Sequence, residues 1–170
     1  MSVVTLRHGN IQDASLLKHW DTLQHVIDSD PDDEWNWDEE LTKFPEWREQ
    51  LMAELNGKPI GFVQIINPAQ EETQYWGPME EGYRAIDIWI GEPDCLGKGY
   101  GTQMMLQALD RCFANHEVHT VLIDPLADNH DAIRFYEKLG FEFVEERQFN
   151  DSFCKVYQFL RSQWQNHHLN

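Results

Sequence analysis

The chain has 170 residues with 41% apolar content, and its 30 acidic against 13 basic residues leave a formal charge of −17 at pH 7. Such a chain can bury one substantial core, which argues against disorder over most of its length and against a second full domain. No apolar run reaches the roughly 20 residues of a membrane span, and Met1 to Asn10 lacks the order of a secretory signal, so a soluble, cytoplasmic protein with no membrane partner is expected.

Val3 to His8 alternates as a short strand, and Asp13 can cap a helix to about Asp21 whose apolar face is Leu16, Leu17 and Trp20. The stretch Asp28 to Glu40 then holds eight carboxylates and no basic residue. It reads as a solvated loop or as one wall of an acidic cleft, and Trp35 and Trp37 inside it need apolar cover from the fold or from a ligand. Glu46 to Leu55 and Ile60 to Ile66 flank Asn56-Gly57, a pair that favours the positive φ angles of a tight hairpin. Gln70 to Tyr83 reads as a long loop before an apolar strand at Ala85 to Ile90.

The second half alternates helix and strand. Helical spacing runs over Gly99 to Asn115, a β-branched strand over Val118 to Ile123, and a second helix over Asn129 to Leu139 that can end at Gly140 in a left-handed residue. Phe141 to Phe149 and Phe153 to Leu160 are the last two strands. The sum is an α/β (α+β) fold, a mixed and largely antiparallel sheet of about six to seven strands with helices on both faces. One domain is expected over residues 1–162, followed by a polar tail over 163–170.

Net charge of this sign opposes nucleic acid at long range, and either serves solubility alone or attracts a cationic substrate. Cys95, Cys112 and Cys154 have no paired spacing and read as reduced thiols, and the histidines show no ligand spacing, so no metal is assigned.

Chemistry concentrates in two segments. In Ile86 to Thr102, IDIWIGEPDCLGKGYGT, a strand runs through Gly97, Gly99 and Gly101 straight into a helix. Alternate glycines let a ligand approach the backbone, and the first amides of the helix point at it with the positive end of the macrodipole, as a pyrophosphate would require. The spacing is neither that of a P-loop nor that of the dinucleotide fingerprint. In Asp128 to Phe141, DNHDAIRFYEKLGF, Asp128 or Asn129 caps a helix whose Tyr136 hydroxyl needs a partner.

In order and spacing the two segments resemble motifs A and B of the GNAT superfamily of acetyl-CoA-dependent N-acetyltransferases. The resemblance implies a GNAT fold and acetyl-CoA as cofactor. It implies that Gly97, Lys98, Gly99, Tyr100, Gly101 and Thr102 bind the coenzyme's pyrophosphate, with Leu96 standing where the motif usually has Gln or Arg. It places Trp89, Ile90 and Gly91 on the splayed strand whose main chain pairs with pantetheine, an N–H there polarising the thioester carbonyl. Asn129 then contacts pantetheine, Lys138 approaches the phosphate end, and Tyr136 protonates the leaving thiolate, unless its hydroxyl is simply bonded in the core.

LNGKPIGFVQ, YRAID, LGKGYGT and IDPLADNHDAIRFYEKLGF further resemble one subgroup, the aminoglycoside 6'-N-acetyltransferases. In that subgroup acidic residues line the cationic substrate's site, and the corresponding positions are Glu80, Asp87 and Asp124, with Trp35 in the acidic loop as a further wall. An ammonium must lose a proton before it attacks, so Asp87 is the candidate base, directly or through a water. Its alternative is a strand-end carboxylate paired with Arg84 or Arg147. The expected partner is thus a cationic small-molecule amine, met by a monomer or homodimer. The alternatives are a GNAT enzyme for another amine, such as a polyamine, an amino-sugar or a protein N-terminus, and a non-catalytic acyl-CoA-binding module.

Overall fold

The computed structural model describes residues 3–31 and 34–169. In chain order the elements are β1 (Val4–His8), α1 (Ala14–Trp20), α2 (Gln24–Ser29), α3 (Trp37–Glu40), β2 (Arg48–Leu55), β3 (Lys58–Ile66), β4 (Tyr83–Ile90), α4 (Tyr100–Ala114), β5 (Thr120–Ile123), α5 (His130–Leu139), β6 (Glu142–Phe149), β7 (Ser152–Leu160) and α6 (Arg161–Leu169). Short 3-10 turns at Ile11–Asp13 and Pro93–Cys95 lead towards α1 and α4. The strands form one seven-stranded sheet in the order β1-β2-β3-β4-β5-β7-β6. Pairing is antiparallel for β1 with β2, β5 with β7 and β6 with β7, and parallel for β4 with β5. Among the described residues no helix is long and apolar enough to cross a membrane.

The chain divides into two compact units, residues 1–65 with 87–108, and residues 66–86 with 109–170. In the first, α1 to α3 pack Leu17, Trp20, Val26, Trp37 and Leu41 with Met52 and Phe62 of β2 and β3 into one buried cluster. Trp37 is fully buried and its indole N–H donates to Asp21 Oδ2 at 2.6 Å, so the fold itself covers this residue of the acidic stretch. Arg48 holds the far end of that stretch, donating to the Glu40 carboxylate at 2.5 Å and to the Glu40 and Lys43 carbonyls. Asp32 and Asp33 of the same stretch lie outside the described residues. The β2–β3 hairpin turns on Asn56 at φ 53° and Gly57 at φ 80°, the conformation that the Asn-Gly pair announces.

Asp13 ties β1 to the turn before α1. Its carboxylate takes two N–H groups of Arg7, at 2.7 and 2.9 Å, and the Asn10 backbone N–H at 2.9 Å. Burial opposes ionisation of Asp13, but the guanidinium and the backbone bond outweigh it and hold the carboxyl below its ordinary 3.8. A carboxyl lowered on folding contributes stability above its unfolded value and loses it as pH falls through the folded one. Thermal melts are therefore expected to lose stability as pH drops from about 5 to about 3, and Asp13→Asn to flatten that loss. At neutral pH the variant should be less stable by roughly 1–3 kcal/mol, the range for a buried bond to a charged group; equal melting curves would remove this pair from the stability account.

In the second unit, β4 pairs with β5 over Tyr83–Ala85 against Thr120–Leu122, and β5 pairs with β7 from Thr120↔Leu160 to Ile123↔Tyr157. The loop before β4 is pinned by an aromatic stack. Tyr75 lies flat on Phe149 with centroids 4.6 Å apart, Trp76 meets both edge-on, and Arg147 covers Phe149 while donating to the Trp76 carbonyl at 3.0 Å. Helix α5 begins at Asn129, whose Oδ1 accepts from the Ala132 N–H, and ends at Gly140 with φ 108°.

Three helices were not anticipated from periodicity. Helices α2 and α3 span only six and four residues, too short to stand without the packing of Val26 and Trp37. The polar tail is helical through Leu169, and Arg161 at its start donates to the Phe113, Asn115 and Val118 carbonyls.

Candidate active site

In the first unit, Asp87 sits on β4 as the strand enters its last four residues. Gln64 of β3 donates Nε2 to Asp87 Oδ2 at 3.0 Å, and Gln50 of β2 donates Nε2 to Gln64 Oε1 at 3.2 Å. An ionised carboxylate only accepts, so the relay fixes the orientation of the Gln64 amide and aims one oxygen of Asp87. Gln64 is thus a partner of Asp87 that the sequence reading did not name. Gln64 was legible as the one polar side chain in the buried run of β3, since an amide stranded among apolar neighbours must find a partner.

Beyond Asp87 the strand ends against tightly packed backbone. The Gly91 N–H donates to Ile60 O at 2.8 Å, and a Cβ on Gly91 would lie 1.9 Å from the Trp20 ring. A Cβ on Gly61 of β3 would come within 2.6 Å of the Trp89 carbonyl oxygen. These two glycines are required by close approach. The expectation that the Trp89 to Gly91 main chain is open to a ligand therefore needs correction at Gly91, whose N–H is consumed within the sheet. Successive residues of a strand point their amides to opposite edges, which leaves the Ile90 N–H directed away from β3.

Beside this strand end lies a cavity of about 70 Å³ lined by Asp21, Val26, Asp30, Trp35 and Trp89, among others. Trp35 stacks on Trp37 at 4.6 Å and tilts against Trp89 at 6.0 Å. Burial raises the Asp21 carboxyl above its ordinary value, and the Trp37 N–H partly offsets the effect. Among the described residues, Trp89 Nε1 is the buried side-chain donor with no hydrogen-bond partner. Two indole faces and two carboxylates make a small site suited to an ammonium group.

The segment 96–99 is exposed and leads into α4, a helix of 15 residues. Gly97 and Gly99 have φ of 71° and 84°, and a Cβ on either would meet nothing within 4 Å. Their role is conformational, because L side chains resist this region. Tyr100, Gly101 and Thr102 form the first helical turn, where amide N–H groups have no intrahelical acceptor. Lys98 is exposed beside them, and Leu96 is 45% exposed.

In the second unit, Asp124 follows β5, and its Oδ2 accepts from the Tyr75 hydroxyl at 2.6 Å. Sequence reasoning missed Tyr75, because nothing in a long polar loop marks which residue the Phe149 and Arg147 stack will hold. Glu80 is exposed, and the carboxylate that this loop orders is its neighbour Glu81, which accepts from Asn67 and Gln70 at 3.0 Å. On α5, Tyr136 packs between Phe135 and Phe141 at 5.3 and 5.8 Å, and Lys138 is exposed on the last turn. Capping uses one acceptor position of Asn129 Oδ1.

A family model described as an acetyltransferase (GNAT) domain matches residues 10–149. The chain is 30% identical over 153 residues to an aminoglycoside N(6')-acetyltransferase type 1 of Klebsiella pneumoniae, covering 82% of this chain and 74% of that protein. Among solved structures, the aminoglycoside acetyltransferase AAC(6')-Ib in complex with coenzyme A superposes with a TM-score of 0.85 at 26% identity, covering 97% of this chain and 99% of that one. The same enzyme with coenzyme A and kanamycin gives a TM-score of 0.85 at 27% identity over the same shares. With its strand order, its glycine turn into α4 and a family match over most of its length, the chain belongs to the GNAT family of acetyl-CoA-dependent N-acetyltransferases.

Proposed function

We propose that this enzyme acetylates the 6'-amine of an aminoglycoside by direct attack of the amine on acetyl-CoA in a ternary complex. The observation that carries the substrate is the similarity, over 82% of the chain, to a relative named as an aminoglycoside N(6')-acetyltransferase. The acidic surface and the carboxylates at Asp21, Asp30, Asp87 and Asp124 agree with a polycationic acceptor. The cytoplasm is the compartment in which such a reaction meets acetyl-CoA, with the enzyme acting as a monomer or homodimer.

The glycine turn fits a coenzyme, since its backbone is bare where a side chain would otherwise stand. Gly97 to Thr102 hold the pyrophosphate through main-chain amides, Lys98 adds charge, and Leu96 contributes its backbone and an apolar contact. When bound, acetyl-CoA supplies the thioester as acyl donor. Trp89 and Ile90 would border it, and the Ile90 N–H would be the donor available to its carbonyl oxygen. Asn129 binds pantetheine and Lys138 the phosphate end.

Asp87 takes the proton from the acceptor's ammonium, directly or through a water, while Gln64 keeps the carboxylate aimed. Trp35 and Trp89, with Asp21 and Asp30, hold a further ammonium of the acceptor; in the second unit, Asp124 and Glu80 add negative charge suited to a cationic substrate. Tyr136 returns a proton to the leaving thiolate. Tyr136→Phe is accordingly expected to lower kcat by at least roughly a hundredfold, the lower end for a general acid, with little change in KM. Equal steady-state rates for the two proteins would return Tyr136 to a packing role.

The test of substrate is thiol release from acetyl-CoA against kanamycin- and gentamicin-type drugs, polyamines and peptide N-termini. Turnover confined to drugs with a free 6'-amine is the expected result. Turnover only elsewhere would replace the acceptor and keep the chemistry, and coenzyme binding without any turnover would make the chain an acyl-CoA-binding module.

A further inference from the structure

We infer that His25 is a positioning residue for acetyl transfer, holding the last peptide of β4 so that the neighbouring Ile90 N–H is presented to the thioester. The inference rests on the reading of β4 as the thioester-binding strand. His25 lies on α2, between Gln24, whose side chain reaches Asp28, and Val26, which is buried in the apolar cluster. Its ring is half-buried, with Nε2 2.9 Å from Ile90 O. A carbonyl only accepts, so Nε2 carries the proton, and the bond persists whether or not Nδ1 is also protonated.

What this bond fixes follows from peptide geometry. Ile90 O and the Gly91 N–H belong to one planar unit, and the second group donates to Ile60 O at 2.8 Å. Helix α2 therefore grips one side of this peptide and β3 the other. The next residue is held too, since the Glu92 N–H reaches Ile60 O at 3.2 Å and the Glu92 carboxylate accepts from Trp20 Nε1 at 3.2 Å. With Gly91 packed against the Trp20 ring, the peptide cannot slide along the strand. The Ile90 N–H lies on the same edge as Ile90 O, one backbone residue away, so fixing the carbonyl fixes the direction of the donor.

A preorganised donor of this kind acts on charge that develops during reaction, and its loss appears in kcat more than in ground-state affinity. His25 also occupies the Ile90 carbonyl as an acceptor. The carbonyl is thereby kept from competing for the acceptor amine or for a water beside the thioester. Nothing else in the mechanism requires a histidine on α2, in which Val26 is the buried residue and Ile27 is exposed.

The test compares wild type, His25→Leu, which keeps bulk and removes the donor, and His25→Gln, whose amide N–H has similar reach. The readouts are kcat with the best amine of the panel, acetyl-CoA affinity by calorimetry, and melting temperature. The expected result is a kcat at least tenfold lower in His25→Leu, with acetyl-CoA affinity within threefold and recovery of at least a third of wild-type kcat in His25→Gln. Unchanged kcat in His25→Leu overturns the inference, as does a joint fall of kcat, affinity and melting temperature in both variants, which would make His25 a packing residue. If the wild type turns over no amine, the acetyl-transfer reading fails and this one with it; an active wild type with an equally active His25→Leu defeats this inference alone.

Discussion

Gly99→Val should abolish measurable acetyl-CoA binding while leaving the protein folded. At φ 84° a β-branched residue is strained by about 1–2 kcal/mol, and the turn can relieve that strain only by rotating its peptides. Rotation turns away the amides that the α4 entrance offers to the pyrophosphate. The packing of the fold is not disturbed, because a Cβ at this position meets no atom within 4 Å. Gly57→Val is the matched control, since Gly57 has φ 80° and equal open space but sits in the β2–β3 hairpin turn. Calorimetric titration of both variants should give no signal for Gly99→Val and near-normal affinity for Gly57→Val. Retained affinity in Gly99→Val would refute the assignment of this turn to the coenzyme.

Asp87→Asn should lower kcat/KM at least tenfold, equivalent to about 1.4 kcal/mol of transition-state stabilisation, with acetyl-CoA affinity nearly kept. The amide is isosteric and can still accept from Gln64 Nε2, so packing and the Gln50–Gln64 relay survive and the lost group is the proton acceptor. Gln64→Leu separates aim from basicity. It keeps the Asp87 carboxylate but removes the Gln64 bond that helps orient it, and a smaller fall in kcat than for Asp87→Asn is expected. Full activity in Asp87→Asn would remove this carboxylate from proton transfer and leave it a substrate-holding charge at most.

Strand and helix order was readable wherever one period ran long enough. The Asn56-Gly57 turn, the helix after Gly99 and the stop at Gly140 each announce themselves, because positive φ and capping are local demands met by local residue types. Helices α2 and α3 were hidden for the opposite reason: six and four residues are too few to show a period, and what makes them helical is the burial of Val26 and Trp37 by partners distant in sequence. The C-terminal polar segment likewise owes its helix to Arg161 reaching carbonyls of residues 113 to 118.

The sequence by itself carried the resemblance to the family, the glycine turn that leads into α4 and the net negative charge, since motif order, glycine spacing and composition are properties of contiguous residues. Only the tertiary structure decided that Gln64 donates to Asp87, that Tyr75 donates to Asp124, and that Trp35 and Trp89 line one cavity. It also decided that Gly91 spends its N–H inside the sheet while His25 takes the carbonyl next to it. Each of these is a pairing across strands, loops or helices far apart in the chain. A hydrogen-bonding side chain declares that it needs a partner, but the register of the sheet and the packing of α2 choose which one it gets.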